Sequence, residues 1–222
     1  MKLIVGLGNP GKQYEKTRHN LGFTAIDRFV KDFKTIDKTE WLDEKKFKSD
    51  IIETEWIRRS SQSSSGQAKQ LMEKIILCKP KTHMNNSGMA VSLVANFYKI
   101  NANDIWIMYD DLDLPIGTMK IRFGGAAAGH HGVESIMEAL NTDKFWRFRL
   151  GIGIRRQNEH EDGHREKAIS RQVVRNAEDY VLGKFGTQER GKVRELIKHA
   201  SKAIQTALEE SLEIAMNRFN TK

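Results

Sequence analysis

The feature that most constrains this chain is its opening strand–turn–helix unit. Leu3-Ile4-Val5 is a short apolar run that reads as a buried strand. Residues 6–20 follow as GLGNPGKQYEKTRHN, and apolar residues then recur at 21, 25, 26, 29, 30 and 33, the spacing of an amphipathic helix. The glycines and Pro10 impose a tight turn where backbone can approach a ligand. Asn9 sets a carboxamide on that turn, and His19 stands beside Asn20 where the helix should begin. A catalytic site, a cofactor site and an ordinary turn all fit this stretch taken alone.

The rest of the chain repeats the alternation. Residues 47–57 and 71–77 read as strands that pair as a hairpin, with the polar stretch 60–70 as its tip. A turn at 79–88 leads into a helix that runs to about Lys99. Ile105 to Met108 is an apolar strand delivering Tyr109-Asp110-Asp111-Leu112-Asp113 at its carboxyl end, where ligands bind in open α/β sheets. Strands are expected at 119–123 and 146–154, with a small-residue loop at 124–132 and a helix at about 133–140 between them. The charged stretch 155–170 reads as a solvated loop. From Gln188 on, one apolar stripe (193, 196, 197, 200, 203, 204, 207, 208, 212, 215) predicts a long C-terminal helix. The expected fold class is therefore α/β: a single domain over residues 1–222, with a mixed, mostly parallel central sheet flanked by helices.

Charge separates the function classes. The 222 residues carry a net charge of +8, which favours a polyanionic partner, nucleic acid before membrane. No run of 18 apolar residues exists to span a bilayer, and no signal-peptide core opens the chain. The single cysteine, Cys78, lies in an apolar run and reads as a core thiol; with no disulfide possible, a cytoplasmic location is expected.

Several residues carry candidate chemistry. Gly6-x-Gly8-x-x-Gly11 matches the dinucleotide fingerprint on paper, but Pro10 removes an N–H and residues 12–18 separate the glycines from the helix. A dinucleotide-binding oxidoreductase is thus the weakest reading. An imidazole whose far nitrogen donates to a carboxylate is fixed in one tautomer and becomes a better base. Asp110, Asp111 and Asp113 are the carboxylates available to His19; together they suggest either such an orienting partner or a Mg²⁺ site. Asn9, Asn85 and Asn86 offer amides that can hold water or polarise a carbonyl, although asparagines also serve turn geometry. His130-His131 ends the small-residue loop at a helix start. Lys120 with Arg122, and Arg147 with Arg149, each share a strand face. If their strands are neighbours, the four form one basic patch.

Taken together these pieces resemble the bacterial-type peptidyl-tRNA hydrolase family from Lys2 to about Phe185, with the C-terminal helix similar in kind. The resemblance rests on Val5-Gly6-Leu7-Gly8-Asn9-Pro10-Gly11 with Tyr14, Thr17-Arg18-His19-Asn20-Leu21-Gly22, Lys79-Pro80-x-Thr82-x-Met84-Asn85-x-Ser87-Gly88, Asp110-x-Leu112-Asp113-Leu114-Pro115-x-Gly117, Gly129-His130-x-Gly132, Arg149-Leu150-Gly151-Ile152-Gly153 and Tyr180-Val181-Leu182-Gly183. It implies hydrolysis of the ester between a peptide and the 3′-terminal ribose of tRNA. By analogy His19 activates water, Asp110 orients it, and Asn9 and Asn85 position substrate and water. Tyr14, Met84 and His130 would line the cleft. Lys120, Arg122 and Arg149 match positions used for tRNA phosphates, and Asn20 falls at a position implicated in tRNA binding. The resemblance further implies no cofactor, no metal, no membrane and no obligate protein partner. It implies a cytosolic monomer whose partner is peptidyl-tRNA, held at its acceptor end.

This chain departs from the family pattern in three ways, one being that the loops at 60–70 and 155–170 look longer or more charged than usual. His131 stands where the family has an asparagine that helps hold water and substrate. Ala126, Ala127 and Ala128 replace a loop usually richer in glycine. A non-catalytic RNA-binding relative, like those recruited to RNA splicing, is the second reading.

Overall fold

A computed structural model describes residues 1–33, 40–59, 70–153 and 177–220. The polar stretch 60–70, apart from Gln70, and the charged stretch 155–170 lie outside them. Seven strands form one sheet in the order β2-β3-β4-β1-β5-β7-β6. They are β1 (Lys2–Gly6), β2 (Leu42–Glu44), β3 (Ser49–Arg59), β4 (Gln70–Pro80), β5 (Ile105–Pro115), β6 (Met119–Phe123) and β7 (Trp146–Gly153). The central four, β4-β1-β5-β7, are parallel. β3 returns antiparallel on β4 as the expected hairpin, and β2 and β6 add antiparallel edges.

Alternating side chains divide the core between the two faces of the sheet. Ile4, Trp106, Met108 and Phe148 pack against α1 (Leu21–Asp32) and α5 (Arg190–Glu209). Leu3, Val5, Ile76 and Ile107 pack against α2 (Ser87–Tyr98) and α3 (His131–Leu140). Ile26 and Phe29 of α1 are fully buried, each worth about 1.5–3 kcal/mol of hydrophobic stabilisation. Cys78 is buried in the second layer, where burial pushes its thiol up to about 12, so it is inert as a nucleophile.

Two expectations are corrected. β5 does not end at Met108 but continues to Pro115. Its ladder with β7 shifts between Asp111 and Pro115. That shift needs Gly151 and Gly153, because a Cβ at either would stand 2.2 Å from the Pro115 carbonyl oxygen or 2.4 Å from that of Leu112. The C-terminal helix is not continuous. It breaks at Glu210, and Ser211 caps a separate α6 (Leu212–Phe219) by accepting from the Ile214 amide at 3.2 Å. The Asn220 side chain then takes both backbone groups of Ile121, which covers part of edge strand β6. Between β7 and α5 lies α4 (Ala177–Leu182).

Candidate active site

The carboxyl ends of β1, β4 and β5 open into a cleft of about 650 Å³. Asn9, Tyr14, His19, Met84, Asn85, Asp110, His130 and His131 all line it. The approach of α1 to the strand ends depends on Gly22, where a Cβ would meet the Met108 carbonyl oxygen at 2.3 Å. The chain just before α1 therefore lies directly on β5, and His19 meets Asp110. Asp110 Oδ1 and Oδ2 lie 3.0 and 3.1 Å from His19 Nδ1.

A second imidazole fixes the carboxylate. His130 caps α3: its Nδ1 accepts from the Val133 amide at 3.3 Å, and its Nε2 lies 3.2 Å from Asp110 Oδ1. An Nδ1 that accepts an N–H places the ring proton on Nε2, so His130 donates to Asp110. With both rings donating to it, the carboxylate leaves His19 protonated on Nδ1 and its Nε2 lone pair free for the cleft. Burial alone pushes the Asp110 carboxyl up, but the charge of His19 and the hydrogen bonds from both rings outweigh it. The group is held well below the usual carboxylate range. For His19, burial pulls the imidazole down, while the charge and hydrogen bond of Asp110 outweigh it and raise it above its ordinary value.

The Asn9 amide is oriented by Met84, whose backbone N–H donates to Asn9 Oδ1 at 2.7 Å. This leaves the Asn9 Nδ2 donor to the cleft. Asn85 is exposed beside it, and Met84 is buried beneath. Asn20 has a different place from the one expected of a tRNA contact. It is buried, its Oδ1 accepts from the Asn9 amide at 2.8 Å, and its Nδ2 donates to the Asn9 carbonyl at 2.9 Å. Both ends of its carboxamide are spent on holding the Asn9 turn.

Other sequence expectations sort in the same way. The aspartates do not converge: Asp111 accepts from Arg149 Nε at 2.6 Å and from the Asp113 amide at 2.9 Å, away from Asp110. Among the described residues the one cluster with metal-ligand spacing is His19, Asp110 and His130, whose facing atoms are engaged with one another. The basic strands are neighbours, with Lys120 opposite Arg149 and Arg122 opposite Arg147. Yet Arg147 is buried over Phe145 and donates to the Ala126 carbonyl, and Arg149 is committed to Asp111. Of the four, Lys120 and Arg122 remain exposed for a phosphate. His131 turns outward, 69% exposed, with its Nδ1 3.1 Å from Glu134 Oε2 at the cleft mouth. Ala128 takes φ 50°, a left-handed conformation that strains a residue with a Cβ.

The sequence reading missed two residues. His83 lines the cleft and meets Tyr14 edge to face, ring centroids 6.2 Å apart. Its signal was the unassigned position between Thr82 and Met84. Arg18 ties the His19 turn to the far end of the chain: it donates to the Lys184 carbonyl at 2.7 Å and to Glu189 at 2.8 Å, and lies over the Tyr180 ring at 4.4 Å. The glycine turn opens only a single 3₁₀ turn, Lys12–Tyr14, and the first α-helix, α1, begins at Leu21. That removes the dinucleotide reading.

No serine, threonine or cysteine is among the described residues lining the cleft. An α/β fold with a carboxylate-oriented imidazole and turn carboxamides at its strand ends has the layout of a hydrolytic enzyme. Comparison with known proteins narrows this class. The family model for peptidyl-tRNA hydrolase matches residues 3–222. A peptidyl-tRNA hydrolase from Dehalococcoides mccartyi is 39% identical over 222 residues, covering 100% of both chains. One from Bacillus cytotoxicus is 41% identical over 220 residues, covering 99% of this chain and 100% of its own. The crystal structure of the Acinetobacter baumannii peptidyl-tRNA hydrolase superposes with a TM-score of 0.75 at 29% identity, over 100% of this chain and 95% of that one. The chain belongs to the peptidyl-tRNA hydrolase family.

Proposed function

We propose that the chain, acting as one domain in the cytoplasm, cleaves the ester between a peptide's carboxyl group and the 3′-terminal ribose of tRNA. The observation that carries this reading is His19 held at 3.0 Å by a buried carboxylate, with its second nitrogen free toward the cleft. His19 Nε2 takes a proton from water as the water oxygen bonds to the ester carbonyl carbon. Negative charge moves to the carbonyl oxygen, where the Asn9 and Asn85 amides donate to it. The carbon–oxygen bond to ribose then breaks, and the imidazolium returns its proton to the ribose oxygen. Asp110 holds the imidazolium by charge and orientation throughout. His130 positions Asp110, and Asn20 positions Asn9.

The test is cleavage of an N-acetyl-aminoacyl-tRNA in ¹⁸O-water. The expected products are tRNA with a free 3′ diol and an acid carrying one ¹⁸O in its carboxyl group. Label in the ribose, or tRNA binding with no cleavage, would overturn the reading; the latter would support the non-catalytic RNA-binding relative.

The tRNA acceptor end is assigned to the side of the cleft bearing Lys120 and Arg122. Both are exposed on edge strand β6, and no described carboxylate is paired with either. Replacing both by alanine is expected to weaken tRNA binding and flatten log K against log salt by about one to two units, one for each phosphate no longer neutralised. An unchanged slope removes them from the interface.

A further inference from the structure

The cleft does not end at Asn85. Beyond His83 and Asn86, which line both, lies a second groove of about 470 Å³. Lys45, Lys48, Lys81 and Asp43 line this groove, with the exposed side chain of Met89 as an apolar wall. The backbone that carries its lysines is tied together: the Lys81 amide donates to the Lys48 carbonyl at 2.8 Å and the Lys48 amide to the Lys45 carbonyl at 3.1 Å. Lys81 is spent on Asp43 and Asp50, at 3.0 and 3.2 Å. Among the described residues, Lys45 and Lys48 are exposed and paired with no carboxylate. His83 stands on the ridge between the two grooves. Its backbone sits at φ 51° and ψ 159°, a region that costs a non-glycine residue of order 1–3 kcal/mol and clusters at ligand sites.

We infer that this groove receives the peptide half of the substrate and that Lys45 and Lys48 favour acidic side chains in it. The inference rests on the catalytic reading above and extends it. Strand order supplies the direction. His19 and Asp110 lie at the middle of the sheet, between β1 and β5. Lys120 and Arg122 lie at the β6 end, whereas Lys45 and Lys48 flank the β2–β3 connection at the opposite end. An ester whose ribose side points to β6 must send its acyl side toward β4 and β2. A peptide longer than the first residue or two then crosses His83 into a groove with unpaired positive charge. Carboxylates are the peptide groups complementary to that charge.

The experiment uses one tRNA carrying N-acetylated tetrapeptides with a common C-terminal residue. The upstream positions bear aspartate, serine or lysine. Values of kcat/KM are referred to N-acetyl-aminoacyl-tRNA, whose single residue ends inside the catalytic cleft. The wild type is expected to favour the acidic peptide over the neutral one by roughly three- to tenfold through KM, the size of one or two half-exposed ionic contacts. Lys45→Ala/Lys48→Ala levels that preference, and Lys45→Glu/Lys48→Glu inverts it toward the lysine peptide. No preference in the wild type overturns the inference. So does an equal loss on every substrate including the single-residue one, which would assign the groove to RNA phosphates. A wild type inactive on all substrates overturns the catalytic reading instead, and is seen before any peptide is compared.

Discussion

His19→Ala is expected to lower kcat for N-acetyl-aminoacyl-tRNA by about 10²–10⁴-fold, the range of a positioned general base. The tRNA dissociation constant should change little, because His19 is half-buried within the cleft and the assigned phosphate contacts lie on β6. The reasoning is geometric. Among the described residues, His19 has the one imidazole that combines a buried anionic partner with a second nitrogen left to the cleft. His130 has both nitrogens engaged, with Val133 and Asp110, and His131 faces solvent beside Glu134. Neither is placed to substitute. Single-turnover cleavage together with filter-binding of uncharged tRNA separates the two effects. Residual activity within about fivefold of wild type would move the base elsewhere, since removing a proton acceptor costs more than that.

Asp110→Asn should be nearly as damaging, and its pH profile should be diagnostic. Oδ1 accepts from both His19 and His130, and Oδ2 lies 3.1 Å from His19 Nδ1. An asparagine must turn its NH₂ toward one of these positions and so set a donor against a ring N–H. Reversing the His19 tautomer relieves the conflict, but it places the proton on the nitrogen that has to accept one. A loss of about 10²–10⁴-fold in kcat is expected. The sign of the pH effect follows from the charge balance. The base works only when neutral, so wild-type kcat/KM falls as pH drops through the raised pKa of His19. Without the carboxylate, burial is left to pull the imidazole down. The acid limb of the remaining activity should therefore move to lower pH. A limb that stays in place, or moves up, would show that Asp110 does not set the charge state of His19.

How much of this was legible beforehand differs by residue, for physical reasons. The spacing of Leu21, Ala25, Ile26, Phe29 and Val30 marks α1, and all five are buried. The hairpin β3–β4 and the strand-end position of Asp110 follow from local pattern as well. Alternation put Lys120 with Arg122 and Arg147 with Arg149 on one face each, and the pairing of β6 with β7 brings the two pairs together. Alternation could not say that the Ala126 carbonyl takes Arg147, or that Asp111 claims Arg149. Those facts depend on partners from other strands and loops, which no period of two contains. Asn20 shows the same limit: its neighbour His19 faces the cleft, while its own amide turns inward to backbone eleven residues earlier. The split after α5 was masked because its apolar stripe runs on through Leu212 and Ala215. A two-residue break costs such a stripe little.

The partners of Arg18 have a consequence in time as well as in space. Its guanidinium joins Glu189 across 171 positions of sequence, and its backbone amide donates to the Gly183 carbonyl at 3.0 Å. A chain made from its N-terminus has His19, and later Asp110, long before those anchors exist. The turn that carries His19 therefore acquires these moorings only once the chain has been made as far as Glu189. Closing so long a loop is entropically costly and among the slower events of folding. Assembly of the hydrolytic centre is thereby coupled to synthesis of the segment that leads into α5.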